Sequence, residues 1–98
     1  MRVTLLYFAG CPHWELARER IRRALAQVGQ DPDLLSTVLL ETPDDAERWQ
    51  FRGSPTVLVD GRDPFATGDG PVGLACRLYG SEGSPSVAEL VEVLQPAR

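Results

Sequence analysis

Residues 10–14, G-C-P-H-W, hold the side chains of this sequence that are best suited to chemistry. A deprotonated Cys11 can act as a nucleophile or as a ligand for a soft metal ion. His13 is the only histidine of the chain, and an imidazole two residues away can supply a charge or a hydrogen bond. The pattern predicts a thiol site with Cys11 as the nucleophile and His13 as the residue that helps to hold the thiolate.

The flanking sequence indicates how this site is positioned. Val3 to Phe8 is an almost continuous apolar run, which favours a strand buried on both faces. From Trp14 the apolar residues recur at helical spacing, and Pro12 suits a first turn, so we expect a helix over residues 12–28. Cys11 would then be its N-cap, where unpaired N–H groups and the helix dipole favour a thiolate.

Three further strands are expected. Residues 34–40 and 56–59 are apolar and β-favouring, and Asp60-Gly61 after the latter is typical of a hairpin turn. Residues 74–79 alternate in polarity and would return as the fourth strand. The sheet is therefore predicted to contain parallel and antiparallel neighbours.

Two more helices are expected from local start signals. Thr42 precedes Pro43 and two acidic residues, which suit an N-cap and a first helical turn. Ser86 and Glu89 have the spacing of a capping box. The order is βαβαββα, an α/β fold with a four-stranded mixed sheet and helices on both faces.

This order, with G-C-P-H-W after the first strand and G-S-P-T before the third, resembles the thioredoxin-like superfamily. C-P-H resembles the C-P-H-C motif of periplasmic disulfide oxidases, from which Trp14 departs. The segment F-R-G-S-P-T-V-L-V-D-G is similar to the family's cis-proline segment, which implies that Pro55 is cis and faces Cys11. The stretches D-P-F and C-R-L-Y resemble small bacterial thioredoxin-like proteins, some of which carry an alkylmercury-lyase label.

The resemblance implies one three-layer thioredoxin-like domain over residues 1–98, acting in thiol–disulfide exchange or mixed-disulfide formation. The catalytic residues would be Cys11, His13 and Pro55. The residues in contact with substrate would be Pro12, Trp14, Ser54 and Thr56. Trp14 also shares a helical stripe with Ala17, so packing is its expected role and substrate contact the alternative.

A dithiol motif releases a mixed disulfide through its second cysteine, which this motif lacks. Glutathione or another small thiol would then be the co-substrate, or Cys76 would be the resolving residue. A regular last strand places Cys76 roughly 13 Å from the site, whereas a disulfide needs Cα atoms within about 7 Å. The Gly- and Pro-rich segment 63–73 could shift this register.

Two other functions fit the same residues. The chain could be a non-catalytic binding or adaptor module that keeps the fold without turnover. It could also bind a soft ion of the mercury type, which favours thiolate and needs few ligands. A four-ligand zinc site is less well supplied, because the chain has two cysteines and one histidine.

The composition narrows the partners. With 10 basic and 14 acidic residues, the net charge of -4 gives no footprint for nucleic acid or an anionic membrane. A thiol-containing protein or a small thiol is the expected partner. Neither a membrane-spanning run nor an export signal is evident, so two cysteines favour a reducing, cytoplasmic setting.

Overall fold

The computed structural model describes residues 1–51, 53–65 and 83–95. The strands are β1 (Val3–Tyr7), β2 (Leu35–Leu39) and β3 (Thr56–Val59). The helices are α1 (Trp14–Gln27), α2 (Pro43–Arg48) and α3 (Val87–Leu94), and a 3-10 turn (Pro32–Leu34) precedes β2. The strand order is β2-β1-β3, with β2 parallel and β3 antiparallel to the central β1.

The prediction of a four-stranded sheet is wrong. The molecule is a small α/β domain whose described residues form a three-stranded mixed sheet and three helices. The expected fourth strand at 74–79, together with Cys76, lies outside the described residues.

The end of β3 gives a physical reason for this difference. The hairpin signal is real, since Asp60 and Gly61 both have positive φ. Within residues 61–65, however, the chain after this turn pairs with β3 only through the bridge between Val59 and Arg62. Pro64 follows, and proline has no N–H group with which to continue a ladder. The hairpin signal therefore predicted the turn correctly.

The two faces of the sheet support separate halves of the core. One cluster joins Val3 and Leu5 of β1 to residues of α1 and α3. The other joins Leu6, on the opposite face of β1, to Ala46 of α2 and to the fully buried Phe51. Each large apolar side chain buried in this way contributes about 1.5–3 kcal/mol relative to an exposed one. Helices therefore lie on both faces, as the apolar run of β1 predicts.

The start of α1 lies later than expected. The N–H group of Cys11 donates to the Phe8 carbonyl at 3.0 Å, so the chain makes a turn before it can become helical. His13 is the N-cap, and its side chain makes no capping hydrogen bond. Cys11 therefore lies two residues before the N-cap, and the prediction that it caps the helix is wrong.

The starts of α2 and α3 match their sequence signals. Thr42 forms a full capping box with Asp45, and Ser86 forms one with Glu89. The Glu41 N–H group donates to the Asp45 carboxylate and holds its pKa below the usual value. The Ser86 N–H group lowers the pKa of Glu89 in the same way. Among the helices described, none is long and apolar enough to cross a membrane.

Candidate functional site

The register of the sheet explains why Cys11 and the Ser54–Pro55 segment meet. Leu6 of β1 lies opposite Thr56, the first residue of β3. Because the strands are antiparallel, the residues before Thr56 continue beside the end of β1, where the turn to Cys11 begins. The Cys11 thiol donates to the Ser54 carbonyl oxygen, with 3.5 Å between Sγ and O. The Ser54–Pro55 peptide bond is cis, the isomer that the resemblance of its segment implied.

Cys11 is enclosed by protein. Only 3% of the residue is exposed, and its hydrogen bond to Ser54 is buried. A carbonyl oxygen can only accept a hydrogen bond, so this contact is made by the thiol and would be lost by a thiolate. A reagent therefore reaches the sulfur only after the surrounding residues move.

The ring of His13 lies against Gly83, on the segment that leads into α3. Gly83 has a φ of 76°, and a Cβ atom built there would overlap the ring, coming within 2.9 Å of Nε2. In the described structure this ring therefore contacts Gly83, and the hydrogen bond given for the Cys11 thiol is made to Ser54. The role of His13 in holding a thiolate stays a prediction.

Trp14 is held by stacking. Its ring lies 4.2 Å from that of Tyr7, centroid to centroid, at an interplanar angle of 16°. The Arg18 guanidinium carbon lies 5.1 Å from the centroid of the Trp14 ring, within the range of a cation–π contact. The indole also packs against the core cluster under α1. Trp14 thus packs as its place on the helical stripe predicts, and its contact with substrate stays a prediction.

The remaining predicted contacts differ in exposure. Pro12 is exposed in the turn before α1. Thr56 is buried, and its hydroxyl donates to the Gly53 carbonyl at 2.6 Å, which closes the loop around Pro55. Ser54 is fully buried, and within the described structure its hydroxyl has no hydrogen-bond partner. Of these three residues, only Pro12 is available to a substrate without rearrangement.

The segment at 83–85, which lies against His13, was not predicted as part of the site. Arg20 of α1 donates from Nη1 to the Pro85 carbonyl at 3.1 Å and so ties this segment to the helix. The tripeptide G-S-P occurs at 53–55 and again at 83–85. Both copies lie beside the turn between β1 and α1, and this repetition is a signal that could have indicated the second one.

Within residues 1–51, 53–65 and 83–95, no three histidine, cysteine, aspartate or glutamate side chains are grouped so that they could hold a metal ion. No family model, curated protein or solved structure matches this chain. Its function has to be inferred from the residues and geometry of the site.

Proposed function

We propose that this chain is a thioredoxin-like protein in which Cys11 exchanges with disulfides or forms a mixed disulfide with a thiol-bearing partner. The observation that supports this most is the contact between the Cys11 sulfur and the Ser54 carbonyl, next to the cis bond of Pro55. These residues are 43 positions apart in sequence. A partner disulfide that reached the sulfur would lie beside the backbone of Ser54 to Thr56.

The exchange step is a two-electron displacement. Cys11 loses its proton, and its sulfur attacks one sulfur of a disulfide while the other leaves as a thiolate. A second thiol then attacks the mixed disulfide. When that thiol attacks the sulfur of the bound group, Cys11 is regenerated, the sulfur that left first is reduced to a thiol and the attacking thiol is oxidised in its place. When it attacks the Cys11 sulfur instead, as Cys76 would, the bound group leaves as a thiol, so the original disulfide is reduced to two thiols and the two cysteines are oxidised to a disulfide.

Trp14 stands where a dithiol motif has its resolving cysteine. The second thiol therefore comes from glutathione, from the partner or from Cys76, which lies outside the described residues. Since the Trp14 ring is fixed between Tyr7 and the core, its role in this proposal is to support the turn rather than to take part in the exchange.

A second candidate function is a non-catalytic binding module. The specific observation in its favour is the 3% exposure of Cys11, because buried cysteines in proteins are commonly inert packing residues. The two candidates differ in whether a reagent can reach the Cys11 sulfur through a local movement of the folded protein or only after the whole chain unfolds.

Incubation of a Cys76→Ser variant with glutathione disulfide, followed by mass spectrometry, tests the proposal. If Cys11 exchanges, the folded protein gains one glutathione at Cys11 and loses it on addition of reduced glutathione. A Cys11→Ser/Cys76→Ser chain is the control and should gain none.

Labelling that begins only at denaturant concentrations that unfold the chain would overturn the exchange function and favour the binding module. Comparison with the chain that retains Cys76 identifies the resolving thiol. If the adduct is released without added thiol only when Cys76 is present, Cys76 resolves it.

A further inference from the structure

The outer side of β2 offers backbone hydrogen-bonding groups. Of the described strands, only β1 pairs with β2. The Leu40 N–H group donates to the Tyr7 carbonyl at 2.8 Å. Because backbone groups alternate in direction along a strand, the N–H groups of Ser36 and Val38 face β1 as well. The N–H groups that face away from the sheet are those of Leu35, Thr37 and Leu39.

This edge lacks the usual protection against pairing. Sheet edges commonly carry a charged residue, a proline or a bulge that prevents another strand from adding. Residues 34–40 contain no charge and no proline, and β2 pairs with β1 in continuous register. Ser36 and Thr37 are exposed, and Leu39 is 40% exposed. The edge is therefore suited to accept a further strand.

A cleft lies at the carboxyl end of the same strand. Its volume is about 290 Å³, and it lies between the turn that leads to Cys11 and the residues that end β2. The lining residues are Phe8, Ala9, Gly10, Leu39, Leu40 and Glu41. All but one of them are uncharged, so a strand on the edge of β2 could place an apolar side chain in this cleft.

Charge is unevenly distributed around this edge. No basic residue occurs between Arg23 and Arg48, although the net charge of the whole chain is only -4. The acidic residues in this interval, which come before and after β2, are Asp31, Asp33, Glu41, Asp44, Asp45 and Glu47. Glu41 and Asp44 are exposed. The ends of β2 therefore attract positive charge.

We propose that the outer edge of β2 binds an extended peptide segment with a β-favouring, apolar centre and basic residues at its ends. Main-chain hydrogen bonds to Leu35, Thr37 and Leu39 add the segment to the sheet as a further strand. An apolar side chain occupies the cleft beside Leu39, and the basic residues face the acidic ends of β2. Such charge complementarity sets the specificity and speeds association.

A second copy of this chain fits the edge less well. An antiparallel pair of β2 strands centred on Thr37 would place Asp33 of each copy opposite Glu41 of the other. Like charges directly opposite one another on paired strands are destabilising. Arg22 pairs with Asp33, with 3.1 Å between Nη1 and Oδ1, and offsets only part of this repulsion. A basic partner satisfies the edge without this repulsion.

The test is a titration of the ¹⁵N-labelled chain with two synthetic heptapeptides, KVTVTVK and its acidic counterpart EVTVTVE, followed by NMR. KVTVTVK should shift the amide signals of β2 and of the turn at Phe8 to Gly10, and EVTVTVE should bind at least about fivefold more weakly. Added salt should reduce the difference between the peptides.

Two variants probe the backbone and the charge separately. Thr37→Pro removes an outward N–H group and should weaken KVTVTVK about tenfold, whereas Thr37→Val should not. Glu41→Lys should weaken KVTVTVK about fivefold. Glu92→Lys on α3, an exposed position with the same change in charge, should have no effect. Because Glu41→Lys leaves the strand intact, the test holds even if Thr37→Pro fails to fold.

Three outcomes would overturn the proposal. In the first, KVTVTVK shifts no β2 amide signals, or shifts signals elsewhere only. In the second, both peptides bind equally, which would show that the edge of β2 does not select a basic partner. In the third, the free protein self-associates with concentration-dependent shifts along β2, so that a second copy is the occupant.

Discussion

Helices α2 and α3 begin differently from α1. At α2 and α3, a hydroxyl and a carboxylate within one turn satisfy the first backbone N–H groups. At α1 the N-cap His13 makes no such bond. The first turn of α1 is held instead by rings, with His13 against Gly83 and Trp14 against Tyr7.

The contacts that hold the three helix starts differ in how far apart their residues lie in the sequence. A capping box involves residues three apart, so it forms wherever that helix forms. The contacts at α1 involve Gly83 and the end of β1, and they exist only when the whole domain is folded. The turn that carries Cys11 therefore depends on tertiary structure, whereas the two helices without a candidate site residue begin on local signals.

Among the variants that test this contrast, Gly83→Ala should cause the largest loss of stability. The new methyl group meets the His13 ring and also forces alanine into a positive φ. Together these should lower the free energy of unfolding by about 3 kcal/mol, measured by urea denaturation. Gly29→Ala is the control, because Gly29 has a φ of 80° but nothing within 4 Å of the added atom. It should lose about 1 kcal/mol.

Equal losses in the two glycine variants would mean that the His13 ring is not held against Gly83. The double variant Gly83→Ala/His13→Ala sharpens the result. It should regain the part of the loss that arises from overlap, because only the backbone strain at position 83 remains.

Loss of the capping residues of α2 and α3 should lower stability by a smaller amount. Thr42→Ala and Ser86→Ala should each lower the free energy of unfolding by about 1 kcal/mol, since each leaves a helix N–H group without its partner. Thr42→Ser and Ser86→Thr keep a hydroxyl and should change stability by a few tenths of a kcal/mol. Thermal unfolding followed by circular dichroism measures both pairs. If the alanine and hydroxyl variants are equally stable, local capping contributes nothing.

Arg18 contributes less again. Arg18→Gln removes the guanidinium near the Trp14 ring and should lower the free energy of unfolding by about 0.5–1 kcal/mol. Trp49→Phe provides a background in which the fluorescence reports on Trp14 alone. The Trp14 emission should shift on the Arg18 substitution. An unchanged spectrum would mean that the arginine does not lie over the ring in solution.

The smallest expected effect is the loss of folding stability at low pH. The folded-state pKa values of Asp45 and Glu89 lie below their usual values, because N–H groups donate to both carboxylates. Their contribution is therefore fully present above the unfolded-state pKa, near 4, and is lost as the pH falls through the lowered folded-state values. Urea midpoints at several pH values measure this loss.

The variants Asp45→Asn and Glu89→Gln should reduce the acid-dependent part of that loss. His13→Ala is the comparison at α1, where the N-cap side chain makes no capping hydrogen bond. If the carboxylate variants keep the full dependence on acid, other groups cause it.

The features that the sequence predicts best are those set by neighbouring residues. The apolar run of β1, the capping boxes and the positive-φ turn at Asp60-Gly61 each depend on a few consecutive side chains. The cis bond of Pro55 was expected only from the resemblance of its segment, because the residues alone carry a weak preference for it.

Most features that the sequence did not predict depend on distant contacts, and one depends on a local turn that competes with the helix start. Pro12 suits a first helical turn, but the hydrogen bond from Cys11 to Phe8 takes up the residues before His13 and delays α1. The contact between His13 and Gly83 joins opposite ends of the chain, and no local pattern indicates it. The buried contact of Cys11 is likewise with a distant residue, since its thiol donates to the carbonyl of Ser54.

The Ser54 hydroxyl group has a consequence for the evolution of this fold. It is enclosed and has no hydrogen-bond partner among the described residues, and such a group typically costs about 1–3 kcal/mol of desolvation. Alanine at this position would fill nearly the same space without that penalty. A laboratory selection for heat resistance alone should therefore replace Ser54 early. A second selection that also required thiol exchange at Cys11 would show whether the hydroxyl group is needed for that exchange.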